Sequence, residues 1–398
     1  MMASVFAARN GDRVTVFEKN SKIGRKLCIT GKGRCNLTNN CDVRNVIANT
    51  PTNGRFLYSA LNRFSPQDTM RFFEENGLSL KTERGGRVFP VSDKAYDVAD
   101  TLLRVARREG VRIVFTPVTD IIIEDGAAKG VVCGGKEMPF DRVIIACGGC
   151  SYPLTGSTGD GYAFAKKAGH TIAPLRPSLV PLETIEPIDS EADRLLIKNA
   201  AITVFDDKNG GKKVYSDFGE LQFMHYGLSG ATILSASSHI RNMERGRYRI
   251  SIDLKPALSE EKLDARLLRE ISARHTETFP QLVRGLLPAG MVRMFVKMSG
   301  IAADRLCSEL TRAERKRTVG VLKDFALHIK GFRPIEEAIV TSGGVSVKEI
   351  DPKTMESKLV RGLFFAGEVI DVDAYTGGFN LQCAFSTGVI AGEGGAQR

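Results

Sequence analysis

The sequence predicts an α/β fold in which a doubly wound sheet is built from both ends of the chain and interrupted by a long insertion. At the start, residues 1–9 favour a helix, Gly11 favours its end, and residues 13–18 favour a short strand that finishes on an acid. Further along, residues 141–149 and 363–368 each resemble a buried strand that ends at glycine. Strand, helix and glycine in this arrangement are typical of an α/β sheet that binds a ligand at its strand ends.

The middle of the chain has a different periodicity. Residues 182–254 alternate in the manner of short strands, and residues 259–310 are charged and amphipathic in the manner of helices. We therefore predict an outer domain of residues 1–184 and 331–398, an inserted β-rich domain of residues 185–256 and 311–330, and a small helical domain of residues 257–310.

The first helix and strand correspond to the second half of a βαβ nucleotide-binding unit. A hydrophobic strand and a G-x-G-x-x-G turn should precede them, and we expect this chain to lack both, because Met1 stands where the helix is already under way. Residues 24–39 are rich in glycine and basic side chains, and we expect a long functional loop there.

The composition is typical of a globular protein, with 42% hydrophobic and 26% charged residues. No run approaches the roughly 20 apolar residues of a membrane span, and the start shows no secretory leader. We therefore expect a cytoplasmic protein without a membrane partner. No His and Cys grouping has the spacing of metal ligands, so no metal site is expected.

The cysteines number eight, which is too few for a disulfide framework in a chain of this length. Cys147 and Cys150 form a C-x-x-C pair that could be a redox dithiol. They flank Gly148 and Gly149 at a strand end, where small residues suffice for packing, and we prefer that interpretation.

The formal net charge is +10. Such a charge is compatible with a phosphate-rich ligand or with nucleic acid. It is also compatible with an ordinary solvated surface, which we prefer because no basic run is interleaved with aromatic residues. We therefore expect a small-molecule substrate and no nucleic-acid partner.

Seven motif segments are spread over almost the whole chain. They are VFEK (16–19), GRK (24–26), TGKGRCNLTN (30–39), GRVFP with SDK (86–94), GSTGDG (156–161), HYGLSG (225–230) and GEVIDVD with TGGFN (367–380). In this order the segments resemble the bacterial BaiN/aminoacetone-oxidase-like family of FAD-binding flavoproteins. The resemblance implies a Rossmann-like FAD-binding domain formed by both chain ends, an inserted β-rich domain and a small helical domain, and it implies an FAD-dependent oxidoreductase.

The chain departs from the family pattern in three places. The first strand and its G-G-G-x-A-G turn are absent, which puts pyrophosphate binding in question. Ala374 stands where the family usually has Gly, and Ala231 stands where Pro commonly follows Leu-Ser-Gly.

The acid at the end of the second strand, Glu18, is placed to accept hydrogen bonds from the adenosine ribose. Lys19, Arg25 and Lys26 follow it and would supply cations near the phosphates or the ribose. For each of these cations, an ordinary solvated surface position is an equally good interpretation.

The resemblance places Arg34, Cys35 and Asn36 beside the flavin ring, with Gly33 allowing close backbone approach. A redox-active Cys35 is one interpretation, and a small packed thiol is the preferred one. Arg34 is a candidate catalytic residue.

Two further catalytic candidates lie elsewhere in the chain. His225, in the insertion, could donate a proton near neutral pH, although a structural His in a turn fits equally well. Arg87 could anchor an anionic or carbonyl-bearing substrate.

Gly377 and Gly378 lead into a helix whose N-terminus should point at the flavin. Unpaired N–H groups and the helix dipole there can stabilise negative charge on a reduced flavin. The remaining predicted cofactor contacts are Val118, Ala146, Gly148, Gly367, Glu368, Asp373, Phe379, Asn380 and Leu381.

We see no second βαβ unit with its own glycine fingerprint for NAD(P)H. Either NAD(P)H docks transiently as the electron donor, or oxygen is the acceptor of an oxidase reaction. The leading hypothesis is hydride transfer between FAD and a small or steroid-like substrate, either reduction of a dehydro-bile-acid-type enone or oxidation of an amine. The alternatives are an RNA-associated flavoprotein and a truncated chain that cannot hold FAD.

Overall fold

The computed structural model describes residues 1–394, and the chain divides into two compact units. The outer unit contains Met1–Ser178 and the chain from Ile335 onward, and the inner unit is Leu179–Pro334. Residues 395–398 of the predicted outer domain lie outside the described residues. The division of the insertion into a β-rich and a helical domain stays a prediction.

The helices have the following bounds. Within residues 1–394 they are α1 (Met2–Arg9), α2 (Arg25–Gly33), α3 (Val43–Ala48), α4 (Tyr58–Arg63), α5 (Pro66–Glu75), α6 (Ala95–Arg108), α7 (Asp160–Lys167), α8 (Ala231–His239), α9 (Glu260–Ala273), α10 (Phe279–Arg284), α11 (Val292–Ser299), α12 (Arg312–Lys323) and α13 (Phe379–Glu393).

The strands are short except in the inner unit. They are β1 (Thr15–Phe17), β2 (Thr38–Asn39), β3 (Leu80–Thr82), β4 (Arg87–Pro90), β5 (Arg112–Val114), β6 (Val118–Glu124), β7 (Ala127–Cys133), β8 (Lys136–Pro139), β9 (Val143–Ile145), β10 (Ile172–Ser178), β11 (Leu182–Thr184), β12 (Leu196–Asp206), β13 (Lys212–Met224), β14 (Gly227–Ser229), β15 (Tyr248–Asp253), β16 (Phe325–Phe332), β17 (Val340–Val345) and β18 (Leu363–Phe365).

The outer unit contains the α/β part of the fold. Two pairs of parallel strands, β1 with β5 and β9 with β18, form separate two-stranded sheets among the described residues. Three antiparallel sheets accompany them: β2-β4-β3, β6-β7-β8 and β10-β17. The parallel pairs put the ends of β1, β9 and β18 where α/β proteins bind ligands.

The outer unit is closed by packing between the first and the last helix. A Cβ at Gly392 of α13 would lie 2.4 Å from the backbone oxygen of Ala3 in α1, so the two backbones can approach this closely only at a glycine. Gly388, one turn earlier, faces Met2 and Ala3 in the same way. The two ends of the chain therefore share one core.

Local sequence signals explain where the helices begin. Ser65 caps α5 by accepting from the Asp68 N–H, while the Asp68 carboxylate accepts from the Ser65 N–H, and Pro66 occupies the first turn. This capping box satisfies N–H groups at the start of α5 that have no partner within the helix.

The inner unit is a closed six-stranded barrel with five helices, and one hydrophobic core joins both parts. The strand order is β11-β14-β13-β12-β15-β16, and the pairing of β11 with β16 closes the barrel. Buried side chains from the barrel, such as Val204, belong to the same core as Leu267 of α9 and Phe279 of α10.

One local prediction was wrong. The expected loop at 24–39 contains α2, which starts after a left-handed Gly24 and is broken at Thr30, where ψ is 151°. The helical turns before Thr30 form although Gly31 and Gly33 follow them.

Candidate functional site

Two glycine-rich segments from opposite ends of the chain meet where α13 begins. The Asn39 amide donates to the Gly377 oxygen at 3.0 Å and to the Gly85 oxygen at 2.9 Å. Gly378, with φ of +97°, packs so closely that a Cβ there would lie 2.3 Å from the Thr38 oxygen. The structure thus brings together the predicted residues 33–36 and 377–381.

Two buried side-chain oxygens at this junction have no hydrogen-bond partner among the described residues. One is the Oδ1 atom of Asn36, which would lie 2.9 Å from a Cβ at Gly378. The other is Oδ1 of Asp373, whose Oδ2 accepts from Ser178 at 2.8 Å. Buried polar atoms are normally satisfied, so both oxygens fit a ligand that carries hydrogen-bond donors.

An ion pair links the start of α2 to the end of β18. The Lys26 ammonium donates to Glu368 at 2.7 Å and to the Ser151 hydroxyl at 2.7 Å. The second Glu368 oxygen accepts from the Thr341 N–H at 2.8 Å. Gly148 and Gly149 lie against this carboxylate, so the predicted residues Lys26, Gly148 and Glu368 form one cluster.

The acid at the end of β1 is held by its own turn. Glu18 Oε1 accepts from the Asn20 N–H at 2.8 Å and from the Asn20 amide at 2.7 Å, and Arg25 donates to Asn20 at 3.0 Å. A carboxylate has about four lone-pair directions, so Glu18 keeps acceptor capacity for a ribose hydroxyl.

Lys19 contacts the loop before α7. Its ammonium donates to Asp160 and to Thr158, each at 2.5 Å. Burial raises the pKa of Asp160, but the hydrogen bonds from Lys19 and Thr158 outweigh it and leave the pKa lowered. Lys19 therefore has an acidic partner in addition to its predicted role toward phosphate.

Arg34 lies in a surface network of charges. Its guanidinium is paired with Glu83 and Asp93 and stacks 4.1 Å from the centre of the Phe89 ring. Arg87 extends the network, 3.8 Å from Glu83. Both predicted catalytic arginines are thus engaged with Glu83, and their action on a substrate stays a prediction.

The thiol of Cys35 is fully buried in the outer unit. Burial raises its pKa to about 12, so it is protonated near neutral pH. The eight cysteines are all free thiols.

The remaining predicted contacts are distributed around the same strand ends. The side-chain amide of Asn380 is hydrogen-bonded to the preceding loop. Its oxygen accepts from the Ala374 N–H at 2.9 Å, and its nitrogen donates to the Ala374 oxygen at 2.7 Å. Gly367, with φ of +76°, donates its N–H to Thr387 at 3.0 Å. Val118 starts β6, Ala146 is exposed after β9, Phe379 is buried, and Leu381 packs against a core cluster.

His225 belongs to the inner unit. It occupies the turn between β13 and β14, and its side chain is 74% exposed. The backbone N–H of His225 donates to the Asp193 carboxylate at 2.7 Å. Its role as a proton donor stays a prediction.

Sequence reasoning missed Gln382 in α13. This side chain is completely buried and accepts from Thr38 at 2.6 Å and from Thr69 at 2.8 Å, while its amide donates to the Phe64 oxygen at 3.1 Å. It fixes β2 and α5 against the helix that carries the glycine pair. Its partners lie more than 300 residues away in the sequence, so no local signal identified it.

One cavity of about 600 Å³ lies away from this site. It is lined by residues that include Asp141, Arg142 and Gly362, which precede β9 and β18. Ligands of α/β sheets bind at the opposite, carboxyl ends of the strands. In the described part of the chain, no cluster of His, Cys, Asp or Glu could hold a metal ion, and no helix is long and apolar enough to cross a membrane.

Comparison with known proteins gives the family. Residues 1–394 match the HI0933-like protein Rossmann domain. The chain is 33% identical over 413 residues to a 3-dehydro-bile acid delta(4,6)-reductase of Clostridium scindens, which covers 100% of this chain and 97% of the relative.

Two further relatives carry a different name. The chain is 29% identical to a ribosomal RNA dihydrouridine synthase of Escherichia coli, over 97% of this chain and 93% of the relative. It is 30% identical to the protein of the same name in Haemophilus influenzae, over 96% and 92%. The predicted α/β fold and the predicted flavin-dependent oxidoreductase are confirmed, and the chain belongs to the HI0933-like Rossmann family.

Proposed function

We propose that this chain is an FAD-dependent reductase of a carbon–carbon double bond conjugated to a carbonyl group. The single observation that carries the proposal is the junction of the two glycine-rich segments, where the buried oxygens of Asn36 and Asp373 have no partner among the described residues. When bound, FAD supplies the hydride for such a reduction.

The names of the relatives favour reduction over amine oxidation. A 3-dehydro bile acid with a delta-4 double bond contains an enone, and dihydrouridine is the reduced form of a double bond conjugated to the uracil carbonyl. The two names describe different substrates but the same bond change, which adds two hydrogens to a polarised double bond.

The residues of the outer unit fit FAD. Asn36 and Asp373 offer acceptors to the ribityl hydroxyls or to the ring N–H, and Glu18 keeps acceptor capacity for the adenosine ribose. The N-terminus of α13, opened by Gly377 and Gly378, presents unpaired N–H groups that favour negative charge. Lys26 and Glu368 hold α2 and β18 at this junction.

The proton and the electron donor complete the proposal. His225 is the proposed proton donor, and NAD(P)H is the proposed transient reductant. The first substrate class is a small or steroid-like enone. The second is uridine in RNA, which is favoured by a concentration of positive charge in the inner unit.

The test starts with the absorption spectrum of the purified protein with and without added FAD. The flavin-loaded protein is then reduced without oxygen and mixed with a steroid 4-en-3-one or with a uridine-containing RNA, and the oxidised flavin-loaded protein is mixed separately with an amine. We expect reoxidation of the flavin by one of the two unsaturated substrates, together with a product heavier by two hydrogens.

Two results would overturn the proposal. One is a protein that takes up no FAD from an excess of the cofactor. The other is a loaded protein that an amine reduces and that oxygen alone reoxidises, because that protein would be an oxidase.

A further inference from the structure

The positive charge of the inner unit is concentrated in one short stretch. Residues 292–323 contain eight Lys and Arg against three Asp and Glu, whereas the rest of Leu179–Pro334 contains seventeen of each. The net charge of the unit, +5, therefore comes from 8 − 3 in this stretch alone.

This stretch forms α11 and α12 with the loop between them, which we call the basic helix pair (residues 292–323). Arg317 of α12 donates to the oxygen of Ser299, the last residue of α11, at 3.5 Å. That contact places the end of α11, which carries Lys297 two residues before Ser299, next to α12.

Four of the eight cations of the basic helix pair have acidic partners. Arg305 contacts Glu309 and Glu314 of the pair itself, and Glu314 also closes the capping box at the start of α12. The other three are paired with acids outside the stretch: Arg293 with Asp189, Arg315 with Asp264 and Lys323 with Asp253.

Four exposed cations of the basic helix pair have no ion-pair partner within 4.0 Å in the part of the chain that the structure describes. They are Lys297 of α11, and Arg312, Lys316 and Arg317 of α12, of which Arg317 donates to the Ser299 oxygen. Unpaired exposed cations on packed helices form a surface that attracts a polyanion.

The chemistry of this surface fits a phosphate backbone better than a membrane. A helix that lies in a membrane interface exposes large apolar side chains next to its cations. Among the described residues, the exposed large hydrophobic side chains of the inner unit are Ile185, Leu196, Phe218 and Leu268, and none belongs to the basic helix pair.

We propose that the basic helix pair binds the phosphate backbone of an RNA substrate. This inference rests on the proposed function, since it assigns a binding surface to the second proposed substrate class, uridine in RNA. The surface contacts phosphates and carries no sequence readout, so it positions an RNA whose uridine is reduced elsewhere on the protein.

The test measures binding of a labelled uridine-containing RNA hairpin to the FAD-loaded full chain at several salt concentrations. The variant K297Q/R312Q/K316Q should weaken binding by about tenfold to a hundredfold at low salt and should lower the slope of log K against log salt by about 2–3. The matched control is K198Q/K212Q/K213Q, which removes three exposed lysines from β12 and β13 of the same unit and should bind like the wild type.

Thermal unfolding and turnover of a steroid 4-en-3-one check that both variants are folded and loaded. Equal binding by the wild type and K297Q/R312Q/K316Q would overturn the inference, and so would an equal loss in the control, which would mean nonspecific attraction. Competition by polyglutamate as effective as that by RNA would assign the surface to an acidic protein instead. If no unsaturated substrate is reduced but RNA binding depends on these cations, the proposed reductase function is wrong, whereas the proposed RNA-binding surface is supported.

Discussion

Lys26 and Glu368 lie 342 residues apart in the sequence, and their side chains meet at 2.7 Å. The pair joins the start of α2 to the end of β18, and both side chains are about one-fifth exposed, 23% and 19%. The second oxygen of Glu368 accepts hydrogen bonds from the Thr341 N–H and from the Ser151 hydroxyl. The carboxylate therefore links three other segments of the chain, those that contain Lys26, Ser151 and Thr341.

Breaking this pair should weaken both the outer unit and its hold on FAD. Lys26→Met leaves the Glu368 carboxylate without its cation, and we expect a loss of about 1–3 kcal/mol in unfolding free energy together with a lower FAD content. Chemical denaturation and the flavin-to-protein absorbance ratio measure the two effects. Lys22→Met, at an exposed position, is the control, and unchanged values in Lys26→Met would contradict the structural role.

Two glycines with positive φ should respond differently to alanine. Gly378→Ala places a Cβ 2.3 Å from the Thr38 oxygen, whereas a Cβ at Gly33 meets nothing within 4 Å. We expect Gly33→Ala to cost about 1–2 kcal/mol of backbone strain and Gly378→Ala to cost more and to abolish FAD uptake. Melting temperature and bound flavin are the readouts, and similar behaviour of the two variants would argue against the close junction.

Cys35 should behave as a packing residue and not as a redox thiol. With a pKa of about 12, its thiolate fraction near pH 8 is on the order of 10⁻⁴, so iodoacetamide should label it only after unfolding. Mass spectrometry of peptides from native and unfolded protein gives the labelling. Cys35→Ala should keep flavin reduction by NAD(P)H, and loss of that step in a folded variant would restore the redox interpretation.

His170 should make the outer unit less stable in acid. Burial lowers its pKa, while Glu349, 3.2 Å away, opposes that effect. Because the unfolded chain binds the proton more readily, the stability that the neutral His170 contributes is present above about pH 6.5 and decreases as the pH falls through the lowered folded pKa.

The measurement is the melting temperature at about pH 7.5 and about pH 5.5. His170→Gln should show a smaller difference between the two than the wild type, and His275→Gln, at an exposed position, should keep the wild-type difference. An unchanged difference in His170→Gln would assign the acid sensitivity to other groups.

The parts of the fold that follow from local signals were predictable. The capping box of Ser65 and Asp68 marked α5, and the glycine pair at 377–378 marked the start of α13. The motif residues also indicated that both chain ends contribute to one domain, and the hydrogen bond between Asn39 and Gly377 joins the two ends.

Other parts depend on partners far away in the sequence. Gln382 is recognisable only when Thr38 and Thr69 are brought to it. The pairing of β11 with β16 that closes the barrel spans most of the insertion, and no short segment specifies it. Within α2 the local signal misled, because Gly31 and Gly33 favour a loop although the residues before Thr30 form helical turns.

The contact of α1 with α13 has a consequence for biosynthesis. The ribosome releases the inner unit as one uninterrupted segment, so its barrel can fold while the rest of the chain is still being made. The outer unit can complete its folding only after α13 has been synthesised, because Gly388 and Gly392 supply the surface on which Met2 and Ala3 pack. Nascent chains stopped before α13 should therefore contain a folded barrel and no binding-competent flavin domain.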